Sequence, residues 1–212
     1  MNKQSPLLSA FDDGEFEIGE INRTNIALRT KHSGTSDNYL ADVSALRKRL
    51  FVGRSAPQWL QAHGITVPHK LLQTTELGGG AIAVRLHRQQ YLLIDGLDSA
   101  AVGDLFTLVE GRHDDILVLA YEAAELACGG PHVNALLAEL CPMDLSTCAP
   151  GSWIATRLAH CEVALRRIDD PAHIRIVCTP ADAQFLFSVL SRVTQERDGL
   201  IVGFEDYRDR IG

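Results

Sequence analysis

Nowhere in the chain do about 18 apolar residues follow one another, so no segment reads as a membrane-crossing helix. The opening MNKQSPLLSAFDDGEFE turns acidic before it gathers an apolar stretch of signal-peptide length. A soluble, unprocessed, cytoplasmic chain without a membrane partner is expected. Cations are scarce too: 20 Lys and Arg face 27 Asp and Glu, a net charge of −7, and a nucleic-acid partner would need a basic face. The one dense basic cluster, Arg47-Lys48-Arg49 with Arg54, reads as a solvated or partner-facing strand edge. Five cysteines, an odd number with no C-x-x-C, argue against both a disulfide framework and a zinc ribbon.

Nucleotide and metal signatures are missing as well. There is no G-x-G-x-x-G, and Gly78-Gly79-Gly80 runs into a strand where a phosphate loop would run into Lys-Ser/Thr and a helix. The histidines never fall into H-x-x-x-H, and His113-Asp114-Asp115 reads as a turn, so no metal is expected.

What is present is a globular chain of 212 residues, 46% apolar, long enough for one good core or two small ones. Residues 1–38 mix acidic and small polar residues around one alternating stretch, NIALR, and are expected to form an arm with an edge strand. From Tyr39 the run LADVSALRKRLFVG alternates like a strand, Gly53 ends it, and SAPQWLQAHG has the Ser, early Pro and terminal Gly of a short helix. AIAVRLHRQQYLLID follows as two strands. DSAAVGDLFTLVE then spaces Val102, Leu105, Phe106 and Val109 as one face of a helix.

The second half repeats this order. ILVLAYEAAELACGG and PHVNALLAEL set a strand, Gly130 and a helix 77 positions after Gly53 and its helix. The shared RL of AVRLHRQQYLLID and ATRLAHCEVALRRID pairs Arg85 with Arg157 at an offset of 72. HIRIVC and a helix opened by Thr179-Pro180 complete the unit. The fold class expected is α+β, built of pseudo-duplicated β-α-β-β-α units, with residues 39–112 and 113–212 as the repeats. Cys-Pro-Met-Asp-Leu at 141–145 then falls just after a helix, where proline stops the helix and turns the chain. Cys141 reads as a small apolar residue at that end, and Cys161 beside His160 as packing, because neighbours on a strand face opposite ways.

These segments carry a resemblance. GGPHVNALLAELCPMDL and PGSWIATRLAHCEVALRR, with the helix after HIRIVC, resemble the gamma subunits of heterotetrameric sarcosine oxidases, within the folate-binding T-protein (aminomethyltransferase) superfamily. Asp42-Val43-Ser44, Val52-Gly53, Ala56 and Trp59-Leu60 are similar to that superfamily's opening, and the likeness covers roughly residues 39–195. The chain departs from relatives in having no carboxylate in Gly79-Gly80-Ala81-Ile82 and no K-G-C-Y-x-G-Q-E motif.

The resemblance implies a non-catalytic chain docked on flavoprotein and folate-binding subunits of a hetero-oligomer that oxidatively demethylates an N-methyl amino acid. It implies FAD, FMN, NAD and tetrahydrofolate on partner chains and no cofactor on this one. A free-standing folate-binding or one-carbon-transfer protein, needing a carboxylate such as Asp42 or Asp95 for the pterin, is the alternative. A scaffold with a decayed site is a third. Asp144 and Arg157 are expected either to pair internally and fix the CPMDL turn or, with Arg85, to line a cleft. Trp59 and Trp153 are the candidate partner-facing anchors. No catalytic residue is assigned.

Overall fold

The computed structural model describes residues 2–31, 34–98, 103–108, 110–169 and 172–211. The chain divides into two compact units, one of Met1–Ala45 with Ala123–Gly212 and one of Leu46–Glu122. These boundaries differ from the expected 38/39 and 112/113, and the cause lies in two runs that each read as one strand.

In the first unit β1 (Lys3–Gln4), β2 (Phe16–Ile21) and β3 (Thr24–Thr30) form a small sheet in the order β1-β3-β2. NIALR therefore lies in the middle strand, not at an edge. Leu7, Phe11, Phe16 and Ala27 are buried in the same core as Leu126, Ile176 and Phe187, so the expected arm is part of the unit. Phe11 makes the junction, 4.9 Å from the ring of Phe16 and 5.1 Å from that of Phe187.

After β4 (Tyr39–Asp42) the run LADVSALRKRLFVG breaks. The Asp42 carboxylate accepts from the Ser44 amide at 2.9 Å and from the Ser5 hydroxyl, an Asx turn that ends the extended backbone. The chain then enters the second unit through β5 (Lys48–Val52), α1 (Ala56–Ala62), β6 (Thr74–Gly78), β7 (Ala81–His87), β8 (Gln90–Ile94), α2 (Gly103–Thr107), β9 (Gly111–His113) and β10 (Ile116–Ala120). Val102 and Val109 of the expected helix lie outside the described residues, while Leu105 and Phe106 are buried. The sheet order is β6-β7-β8-β5-β10-β9, over a core of Phe51, Leu60, Tyr91, Leu93, Ile116 and Val118.

ILVLAYEAAELACGG breaks in the same way, and its second strand belongs to the first unit. There follow β11 (Ala124–Gly129), α3 (Val133–Ala138), β12 (Trp153–Leu158), β13 (Cys161–Asp169), β14 (Ala172–Cys178), α4 (Pro180–Gln195), β15 (Leu200–Val202) and α5 (Phe204–Ile211). The sheet order is β12-β13-β14-β11-β4-β15, with β15 parallel to β4. α4 starts where Thr179 Oγ1 accepts from the Asp182 amide at 3.3 Å, with Pro180 in the first turn. Its Ala183, Leu186, Phe187, Leu190 and Val193 recur at helical spacing and are all buried. Among the described residues no helix is long and apolar enough to cross a membrane.

The order β6-β7-β8-β5 in one sheet and β12-β13-β14-β11 in the other is the same succession of elements. Gly53 and Gly130 sit alike in it, each between a strand and a helix at positive φ, +152° and +108°. A Cβ on Gly53 would lie 2.7 Å from the Asp115 carbonyl oxygen, and one on Gly130 2.4 Å from that of Asp37. Each glycine thus lets the chain pass close to the segment leading into β10 or β4, where a larger residue is excluded. The other expected match fails: Arg85 is on β7, one strand in from the edge, while Arg157 is on the edge strand β12.

Candidate functional site

The CPMDL turn is fixed, but not by the expected pair. Asp144 is exposed and caps a 3-10 turn at Leu145–Thr147, accepting from the Ser146 amide at 3.0 Å and the Ser146 hydroxyl at 2.6 Å. Those two bonds hold its carboxyl below the usual range. Arg157 meets Glu162 at 3.8 Å in an exposed contact across the β12–β13 ladder. The guanidinium that gathers the turn is Arg167: its Nη1 donates to the carbonyls of Ser146 at 2.7 Å, Cys148 at 2.8 Å and, more weakly, Leu145 at 3.4 Å. The sequence offered only one faint sign of this, an Arg-Arg pair following the apolar VAL of a strand.

Arg85 is held by backbone carbonyls on its own unit rather than beside Asp144 and Arg157. Its guanidinium donates to the His69 carbonyl and, at 3.3 Å, to the Arg88 carbonyl, while lying 5.7 Å over the Tyr91 ring. Trp59 is half-buried, stacked 3.7 Å from His63 and 5.8 Å from Phe51. Trp153 is 6% exposed and belongs to the interior, so it offers no face to a partner. The basic run also turns inward: Lys48 is buried with its ammonium on the Leu46 carbonyl at 2.8 Å, and Arg47 sits on Asp95 at 2.7 Å.

Cys141 and Cys161 are buried, and burial together with the charge of Asp182 raises the Cys161 thiol. His160 lies in the turn between β12 and β13 with Ala159, both at positive φ. A thiol pushed toward its neutral form is a packing group rather than a nucleophile.

Among the described residues one buried polar centre was not apparent in the sequence. In the first unit Glu125 on β11 and Arg175 on β14 meet at 2.6 Å with side chains 2% and 7% exposed. Burial alone would lower the Arg175 pKa, but the charges of Glu125 and Tyr207 outweigh it and the net direction is up. Tyr207 lies 3.4 Å from His173 Nε2, and burial raises its own pKa. Nothing in this cluster reaches solvent to meet a substrate.

The carboxylates that a pterin would require, Asp42 in the first unit and Asp95 in the second, do not fit that role. Asp42 and Asp95 are each 1% exposed. Asp42 Oδ1 and Oδ2 accept from Ser44 and Ser5, and Asp95 Oδ2 and Oδ1 accept from Arg47 and from the Gly96 amide at 3.0 Å. Both oxygens of both groups are engaged within the chain. Among the described residues no three His, Cys, Asp or Glu side chains converge as metal ligands would.

The first unit also carries an open groove of about 510 Å³, lined among others by Phe16, Phe187, Leu200, Asp12, Glu15 and Gln195.

Solved structures share this architecture, two of them over nearly the whole of this chain. Glycine cleavage system aminomethyltransferase T from Bartonella henselae matches with a TM-score of 0.67 and 15% identity over 95% of this chain and 60% of its own. This chain thus spans about three fifths of that protein's length. A chain of the heterotetrameric sarcosine oxidase of Corynebacterium sp. U-96, solved with pyrrole 2-carboxylate, matches with a TM-score of 0.62 and 18% identity over 91% of this chain and 94% of its own. No protein-family profile and no curated sequence matches. The chain has the fold of this aminomethyltransferase and of this sarcosine oxidase chain, the two kinds of protein that its GGPHVNALLAELCPMDL and TRL segments led one to expect as its likeness.

Proposed function

We propose that this chain is an accessory, gamma-like subunit of a sarcosine-oxidase-type complex, a pseudo-duplicated member of the folate-binding superfamily that carries no reaction of its own. The observation behind this reading is the reciprocity of the second match: 91% of this chain corresponds to 94% of one chain of a heterotetramer, whereas the aminomethyltransferase is covered over only 60% of its length. The engagement of Asp42 and Asp95 inside the chain points the same way. In the complex, flavoprotein chains hold FAD, FMN and NAD, and a folate-binding chain passes the one-carbon unit from an N-methyl amino acid to tetrahydrofolate. This chain supplies a rigid surface on which they assemble in the cytoplasm.

Purification of the tagged chain from its native cells tests the reading. Recovery of stoichiometric flavin-bearing chains with sarcosine-dependent reduction of the flavin is expected. A monomer that purifies alone and binds tetrahydrofolate in a calorimeter would overturn it in favour of a free-standing folate protein.

A further inference from the structure

The connection between α1 and β6 presents two adjacent leucines to solvent, Leu71 at 54% exposure and Leu72 at 41%. Other exposed apolar side chains on the surface, such as Ile18, Met143 and Phe185, stand singly in sequence and require no explanation. The leucine pair differs in how firmly it is held. Ile65, Val67 and Pro68 are buried at the root of the connection. The Leu72 amide donates to the Arg85 carbonyl at 2.8 Å, and the Arg85 amide donates to the Gln73 carbonyl at 3.2 Å. Lys70 and Gln73 close the tip on each other, amide to side-chain oxygen at 3.2 Å and amide to carbonyl at 3.3 Å.

Arg85 completes the support, its guanidinium bridging the His69 carbonyl to the Arg88 carbonyl in the β7–β8 turn. Leu72 is moreover held at φ +57°, a conformation that a leucine adopts at a cost. Two apolar side chains are thus displayed on a braced loop in a strained backbone.

The surrounding charge identifies what would cover them. From Arg54 to Ile94 the chain has four cations, Arg54, Lys70, Arg85 and Arg88, and a single carboxylate, Glu76, although it holds 27 Asp and Glu in all. His69, Lys70, His87 and Arg88 are all exposed. An apolar centre inside a basic rim complements an apolar pocket rimmed by carboxylates.

We infer that Leu71 and Leu72 form a docking knob for a partner protein chain that presents an apolar pocket with an acidic rim. Arg85 is a positioning residue that holds the knob in shape. The identification of that partner as a flavoprotein or folate-binding subunit rests on the reading above; the surface itself does not.

The test places p-benzoylphenylalanine at position 71 of the tagged chain in its native cells. Irradiation is expected to join it to a second protein through a segment rich in Asp and Glu. In parallel the variant Leu71→Ala/Leu72→Gly, which also relieves the strained φ, is expected to keep or raise its melting temperature while losing at least about tenfold in affinity for the cross-linked protein. Recovery of flavin chains undiminished by this variant overturns the knob and leaves the subunit reading standing. Cross-linking to an acidic protein that binds neither flavin nor tetrahydrofolate overturns the subunit reading and leaves the knob standing. No cross-link, or one only to a second copy of this chain, overturns the knob.

Discussion

Glu125 and Arg175 lie on neighbouring antiparallel strands, offset by two positions in the ladder, and their charged groups meet at 2.6 Å inside the first unit. A diagonal pair of this kind fixes the register of β11 on β14, because a slip of one strand by one residue would turn its charge to the other face of the sheet and leave its partner buried alone. Removing one partner leaves the other charge buried. Glu125→Gln and Arg175→Met are each expected to cost about 3–5 kcal/mol in urea unfolding. Replacing both together with apolar residues should recover much of the loss, and single variants as stable as the wild type would show that the pair is not closed in solution.

Arg167 and Arg157 separate two accounts of the CPMDL turn. Arg167→Ala removes a donor shared by three carbonyls and is expected to destabilise by roughly 1–3 kcal/mol. Arg157→Ala loses one exposed contact at 3.8 Å and should stay within about 0.5 kcal/mol of the wild type. Equal effects in chemical denaturation would refute the assignment.

Gly130 tests the close passage beside β4. Alanine there would combine φ +108° with a Cβ 2.4 Å from a backbone oxygen. A loss of more than about 2 kcal/mol is expected, against a change of no more than about 1 kcal/mol for alanine at Gly103, which opens α2 without a positive φ and where a Cβ would meet nothing within 4 Å.

The alkaline limb of stability is set by buried neutral acids. Burial pushes the Cys128 thiol from 9.0 up to about 12, with only a partial opposing effect from Thr194. Burial likewise raises Tyr39 and Tyr207 above the ordinary 10.0. In each case the unfolded chain loses its proton first as pH rises, so the unfolded state is favoured. The contribution of Cys128 is therefore intact below pH 9.0 and is lost as pH climbs toward about 12. Stability measured by thermal melts should be unaffected by this group through neutrality and fall from about pH 9 upward, less steeply in Cys128→Ala. An identical alkaline slope in that variant would exclude the thiol as a contributor.

Much of the architecture is written in neighbouring residues. Gly53 and Gly130 are visible in the sequence because a positive φ beside a close backbone demands glycine locally, and Thr179-Pro180 opens α4 through bonds within its first turn. The turn at Cys141–Leu145 follows from proline after a helix, and the motifs around it carried the likeness to the T-protein fold. The alternation of LADVSALRKRLFVG likewise identified extended chain, but period 2 says nothing about which sheet a strand joins. That β4 pairs with β11 while β5 pairs with β8 was decided by strands more than thirty residues away. Arginine partners were hidden for the same reason: a guanidinium on a long flexible stem takes whichever acceptors the packed neighbours present, so Arg167 rather than Arg157 holds the turn, and Arg85 is held by backbone carbonyls. Exposure, too, is a property of the assembled surface, and only there did Trp153 prove buried while Leu71 and Leu72, adjacent in sequence, both face water.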